Sequence, residues 1–257
     1  MELFDTHCHL DAPEFDTDRA QVLARARANG VHHMVVPGVD AAGWDGLLAL
    51  CRAESGLYPA LGLHPVYTAR HRDRDLDDLA RRLEAGGLVA VGEIGLDFHV
   101  EDADEERQQA LLEAQLAMAR DAGLPVILHV RKAHDAMLAT LRRLRVRGGL
   151  AHAFNGSLQQ GLAYHDLGFC LGFGGMLTYE RSTRLRRLAR ELPLEAIVLE
   201  TDAPDLTVAA HRGERNSPEY LPYCLHALAE VREMDPAEAA RRTTANARRV
   251  LGLDDAG

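Results

Sequence analysis

Leu3-Phe4-Asp5-Thr6-His7-Cys8-His9-Leu10 joins a short apolar run to two histidines spaced two residues apart. On an extended chain, side chains at that spacing point to the same side. Two imidazoles on one side of a strand end can share one metal ion, the second ring adding its bond at little further ordering cost. The pattern then repeats: an apolar run closes on a metal-capable or charged side chain. Leu63-His64-Pro65, Gly92-Glu93-Ile94-Gly95-Leu96-Asp97, His129-Val130-Arg131, His152 and Glu200-Thr201-Asp202-Ala203-Pro204 each follow such a run.

The runs themselves read as strands followed by charged amphipathic segments. Residues 31–38, 58–64, 88–92, 125–130, 149–152, 169–173 and 197–200 complete a set of eight with the first run. Helical patterns fill 41–54, 75–85, 103–122, 132–145, 157–167 and 181–191, and two more follow around 218–232 and 236–251. Near-continuous apolar strands alternating with helices argue for a parallel sheet covered on its faces. Eight such units, in a chain of 257 residues, predict closure into a TIM-type (β/α)8 barrel. No linker, low-complexity tract or repeat beyond this alternation interrupts residues 1–257, so a single domain is expected.

Composition narrows the functional classes. A hydrophobic content of 47% supports a large core. No apolar run approaches the ~20 residues that span a bilayer, so no membrane association is expected. No leader-like segment precedes the first strand, and Cys8, Cys51, Cys170 and Cys224 show no paired spacing. Free thiols in a reducing cytoplasm follow as the expectation. The net charge is −10 and Lys132 is the only lysine. An acidic chain is poorly suited to wrapping duplex, which takes many phosphate contacts, but a few arginines and metal ions can hold phosphate locally.

In a barrel of this kind the chemistry sits where strands end and loops begin. Polar side chains at so many strand ends are costly to bury unless each is paired or ligated. His7, His9, Glu93, His129, His152 and Asp202 therefore read as one binuclear metal site at the C-terminal mouth. Glu93 would bridge two divalent ions, with His7, His9 and Asp202 completing one and His129 and His152 the other. Such a pair, roughly 3.5–4 Å apart, polarises a phosphoryl or carbonyl oxygen and lowers the pKa of a bridging water. Imidazole-rich ligation favours Zn²⁺ or Mn²⁺, whereas Mg²⁺ prefers oxygen ligands.

The motifs just quoted, with His152-Ala153-Phe154-Asn155-Gly156-Ser157 and Thr244-Ala245-Asn246-Ala247, resemble the signatures of the TatD family, in order over nearly the whole chain. That family comprises metal-dependent hydrolases of the amidohydrolase superfamily, many described as deoxyribonucleases. The resemblance implies the same six ligands, with a glutamate bridge at Glu93 where many superfamily relatives use a carboxylated lysine. It further implies 3′-to-5′ exonuclease action on single-stranded DNA by a hydroxide held on the metal ions, with activity supported by Mg²⁺. Asn155 and Val130 depart from the commoner residues at their positions; both fall near the mouth.

Individual roles follow from chemistry. Asp202 is read as the base that accepts the water's proton, and Glu200, read as pointing the other way, as a support from behind. His64 is read as a general acid or phosphate donor, a role the resemblance also assigns to its histidine, or as a turn-capping residue. Arg131 suits a phosphate, or a salt bridge to Glu101, Asp102 and Asp104. Ser157 reads as a helix N-cap before it reads as an anion site. Arg181, Arg184, Arg186, Arg187 and Arg190 read as a solvated helix face, His32 and His33 as structural, and Trp44 as packing. His211, Arg212 and Arg215 fall in the long loop after the last strand.

Two other functions compete. The same centre suits a carboxyl-ester or amide hydrolase, such as a lactonase or a D-aminoacyl-tRNA deacylase. A non-catalytic metal-binding protein is the third reading, and it is disfavoured because no ligand position is lost. A monomer is expected.

Overall fold

Eight parallel strands, each hydrogen-bonded to the next in chain order, form the sheet of this computed structural model, which describes residues 1–101 and 104–253. They are β1 (Leu3–Asp5), β2 (Val31–Pro37), β3 (Leu57–Leu61), β4 (Ala90–Asp97), β5 (Val126–Arg131), β6 (Gly149–Ala151), β7 (Phe169–Phe173) and β8 (Ile197–Leu199). The ring closes beyond the regular strands: Thr6 N–H donates to Leu199 C=O at 3.0 Å, and Asp202 N–H to His7 C=O at 2.8 Å. The chain thus forms the expected (β/α)8 barrel.

The covering helices are α1 (Arg19–Ala28), α2 (Trp44–Ala53), α3 (Asp73–Ala85), α4 (Glu105–Asp121), α5 (His134–Leu144), α6 (Leu158–Asp166) and α7 (Thr183–Glu191). After β8 come α8 (Leu221–Arg232) and α9 (Pro236–Leu251). Inside the ring, one buried residue per strand, from Phe4 and Val35 round to Cys170 and Val198, packs into a layer that Val250 and Leu251 of α9 close from below. The floor of the barrel is therefore solid, and only the upper end is open to chemistry. Asn246 clamps that floor, its amide donating to Leu194 and Ile197 carbonyls at 2.8 Å each. Among the described residues no helix is long and apolar enough to cross a membrane.

Most boundaries shift from the sequence expectation by one to three residues, and α1, β4 and the end of β3 depart further. Helix α1 has no counterpart there, because only Val22, Leu23 and Ala26 of its ten residues are buried and its arginines mask the periodicity. Strand β4 runs past residue 92 to Asp97, since Ile94 through Asp97 keep parallel register with Leu128 through Arg131. Strand β3 stops at Leu61, and His64 caps the 3-10 turn Pro65–Arg70 instead of ending a strand. The expected start of the fourth helix at Ala103 lies outside the described residues.

Candidate metal centre

The upper end of the barrel gathers the predicted ligands one by one. His7 and His9 lie just past β1, where the chain stays extended because Cys8 N–H donates to Val35 C=O at 3.1 Å and His9 N–H to Ala203 C=O at 2.8 Å. Bonding to both neighbouring strands holds the two rings on one side. Glu93 sits within β4 and His129 within β5. His152 follows β6 directly, and Asp202 follows β8 with φ of +57°, a left-handed conformation that non-glycine residues adopt at some cost. Gly95 lets β4 and β5 close: a Cβ there would lie 1.9 Å from the His129 carbonyl oxygen.

Glu93 is the hub. Its Oε2 lies 3.2 Å from His7 Nε2 and 3.5 Å from His9 Nε2. Its Oε1 lies 2.9 Å from His152 Nε2 and 3.1 Å from His129 Nδ1. Asp202 Oδ1 faces His7 and His9 at 3.6 and 3.7 Å. The two carboxylate oxygens thus face two different groups of nitrogen atoms, divided as a bridging glutamate would divide them. His7 also stacks on His152 at 4.0 Å between ring centroids, so the two halves adjoin.

The donor set fits metal ions on tautomer grounds. His9 Nδ1–H donates to the Pro37 carbonyl at 3.2 Å, and His129 Nε2–H donates to Asp97 Oδ2 at 2.9 Å. In each neutral ring the remaining nitrogen then presents a lone pair toward the centre. His7 Nε2 meets His9 Nε2 at 3.2 Å, and His129 Nδ1 meets His152 Nε2 at 3.2 Å. Lone pairs turned on one another at that range are unfavourable until a cation or proton lies among them. His–Asp97 is also the carboxylate–imidazole pairing that orients metal-binding rings.

Electrostatics agree. Burial opposes charge on Glu93, but the imidazoles of His64, His152 and His7 outweigh it and hold the carboxyl well below its usual range. Burial likewise opposes a charged His152, yet Glu93, Asp202 and Glu200 push it up to about 10. Burial raises Asp202 and Asp5, the latter to about 7, and carries Glu200 to about 8. For His7, burial and then neighbouring His152 press the value well below the imidazole range.

Known proteins share this architecture. The family model described as TatD related DNase matches residues 4–252. The chain belongs to the TatD family. It is 42% identical to YjjV of Escherichia coli, described as an uncharacterized metal-dependent hydrolase, over 94% of each chain. The crystal structure of that TatD homologue superposes with a TM-score of 0.93 at 41% identity, covering 96% of this chain and 97% of its own. It is also 33% identical to the protein of Klebsiella pneumoniae named 3′-5′ ssDNA/RNA exonuclease TatD, over 98% of each. This TatD-family chain is a metal-dependent hydrolase.

Around the centre, other side chains take definite places in this TatD enzyme. His64 accepts from Val66 N–H at Nδ1 (3.2 Å), which leaves Nε2–H to donate to Glu93 Oε1 at 3.1 Å. It both caps its turn and faces the centre as a donor. Arg131 is exposed on the wall of a cavity of about 710 Å³ beside the centre, and no ion pair among the described residues engages it. Asp102, one of its expected partners, lies outside the described residues. Glu200 Oε1 accepts from Ala153 N–H at 2.6 Å, fixing the loop that follows His152, and Gly172 leaves room for it. Ser157 is the N-cap of α6, with Gln160 completing a capping box.

Two supports escaped sequence reading. Asp97, four residues after Glu93, holds His129; Asp5 accepts from Thr201 N–H at 2.9 Å and Thr201 Oγ1 at 2.6 Å, tying β1 to the end of β8. Both stood inside the quoted motifs, and their polarity in buried strand ends was the available signal. The arginine series is mostly solvated, with Arg181, Arg184, Arg187 and Arg190 exposed, and several of its members also make fixed contacts. Arg186 and Arg190 donate to the Leu177 and Val231 carbonyls, Arg184 donates to the Asn155 carbonyl, and Arg181 and Arg184 line the cavity. Arg215 pairs with Asp18 through both oxygens, at 2.9 and 2.7 Å. His211 stacks on Tyr220 at 3.9 Å, His33 stacks on Phe4 at the barrel floor, and Trp44 is wholly buried.

Proposed function

We propose that this chain hydrolyses phosphodiester bonds of single-stranded DNA from the 3′ end, using two divalent ions held by His7, His9, Glu93, His129, His152 and Asp202. The observation that carries the reading is the division of Glu93, one oxygen toward His7 and His9 and the other toward His129 and His152. The 33% identical exonuclease of Klebsiella supports the substrate class.

When bound, the ions neutralise a phosphate oxygen and make a water acidic enough to deprotonate near neutral pH. The rest falls to side chains. Asp202 has one oxygen toward the His7–His9 pair, and burial raises its affinity for a proton, which suits it to accept the proton of the attacking water. His64 presents Nε2–H to the same space and donates to the developing charge. Arg131, next to His129, takes a non-bridging phosphate oxygen. Asp97, Glu200 and Asp5 keep the rings and loops in place from behind. Four imidazoles point to Zn²⁺ or Mn²⁺ as the resident ions, with Mg²⁺ less suited.

The test is degradation of a 5′-labelled single-stranded oligonucleotide with Zn²⁺, Mn²⁺ or Mg²⁺, beside Asp202→Asn. The expected result is a ladder shortening from the 3′ end, abolished by chelator and slowed by roughly 10²–10⁴-fold in the variant. Metal bound at the site without cleavage under any ion would overturn the reading and turn attention to carboxyl esters and aminoacyl-tRNA.

A further inference from the structure

The cavity beside the centre lies on one side of it. Its lining begins at His129 and runs to Leu206, drawing on β5, β7, the loops that follow β6, β7 and β8 and the start of α7, with nothing from β1 to β4. The lining thus joins His129, His152 and Asp202 of the centre to Gly175 and Met176 of the 3-10 turn and to residues 181–185. Its volume, about 710 Å³, falls within the roughly 300–1,000 Å³ of pockets that enclose a drug-sized molecule.

The wall carries two chemistries. Met176 and Leu206 project apolar surface at 37% and 41% exposure, more than their neighbours in a packed barrel leave open. Arg131, two residues after His129, lines the cavity, and Arg181 and Arg184 line it from the segment that follows β7. Arg184 is oriented by its bond to the Asn155 carbonyl, and Arg181 by lying 5.5 Å over the Tyr179 ring. Apart from Glu200 and Asp202, the only acid on the lining is Asp205. A chain of net charge −10 thus sets three guanidinium groups round one cavity, two of them on a segment that carries none of the six ligands. A ligand with anionic groups at both ends and a flat apolar body between them matches this layout.

We propose that the cavity holds a single nucleoside between two phosphates. The scissile phosphate sits at the metal end, the base rests against Met176 and Leu206, and the adjoining phosphate of the strand is held by Arg181 and Arg184. This deepens the phosphodiesterase reading and rests on it: the enzyme measures one nucleotide from the bond it cuts, and recognises the neighbouring phosphate.

The experiment is calorimetric binding to Mn²⁺-loaded protein of thymidine 3′,5′-bisphosphate, thymidine 3′-monophosphate, which keeps only the phosphate of the metal end, and inorganic phosphate, with no turnover required. The bisphosphate is expected to bind at least tenfold more tightly than the monophosphate, and the monophosphate more tightly than phosphate. In Arg181→Ala, whose side chain touches only Tyr179 among the contacts described, the bisphosphate loses that advantage. In Met176→Asp the monophosphate loses its own over phosphate. Equal binding of bisphosphate and monophosphate by the unaltered protein overturns the inference even if DNA is degraded. Arg181-dependent bisphosphate binding without DNA cleavage would retain the compartment and discard the exonuclease reading.

Discussion

Asp97 never faces the proposed ions, yet it decides which nitrogen of His129 does. Its Oδ2 takes Nε2–H at 2.9 Å and leaves Nδ1 for the centre; burial raises the Asp97 carboxyl, but that bond, the His99 N–H and the charges of His129 and Arg131 together lower it below its usual value. Asp97→Asn is expected to weaken metal retention by about 10–100-fold, read by competition with a chromogenic chelator, while the barrel stays folded. Unchanged metal affinity would assign His129 a role other than ligand. Asp5 works on stability. Burial raises it from 3.8 to about 7, so the folded chain favours its neutral form. A raised carboxyl contributes stability that is complete below its unfolded value and lost as pH rises through the folded one. The chelator-treated protein is therefore expected to lose stability between about pH 4 and pH 7, by an amount on the order of a few kcal/mol. Asp5→Asn flattens that decline in urea midpoints taken across pH; identical profiles for the two proteins would contradict it. Glu200, raised to about 8, has the same sign and leaves a residual slope.

At the scale of elements, the approach of β4 to β5 matters most, because those two strands carry Glu93 and His129. Gly95 permits it, since any Cβ there would overlap the His129 carbonyl, a backbone atom that cannot swing aside. Gly95→Ala is expected to cost at least about 1–3 kcal/mol in chemical denaturation and to loosen metal binding together with it. A variant as stable as the parent would mean that the two strands part without penalty. The sequence motif around Glu93 announced a strand end, whereas the chain continues as strand to Asp97. Residue pattern alone stops at Gly92 because glycine reads as a breaker; the pairing of Ile94 through Asp97 with β5 overrides that local signal.

Over the whole molecule, the net charge of −10 and the few arginines at the mouth predict how an oligonucleotide would be held. With three guanidinium groups available for phosphate, the log–log slope of oligonucleotide affinity against salt is expected near roughly −2, on the single-strand coefficient of about −0.7 per contact. Fluorescence anisotropy of a labelled oligonucleotide on the Mn²⁺-loaded Asp202→Asn protein measures it. A slope several times steeper would reveal a broad basic track, which the net charge of −10 argues against.

The amino-acid sequence by itself determined the eightfold alternation, the barrel, the family and the identity of the six polar residues at the mouth. Those properties are written locally, in apolar runs, in the residues that terminate them and in short motifs. Only the tertiary structure decided which oxygen of Glu93 meets which imidazole, that Asp97 and Asp5 stand behind the centre, and that the exposed Arg181 and Arg184 line the cavity beside it. Those facts depend on contacts between strand ends and loops far apart in the chain, as between Asp5 and Thr201. No local pattern carries the ring closure that brings such positions together.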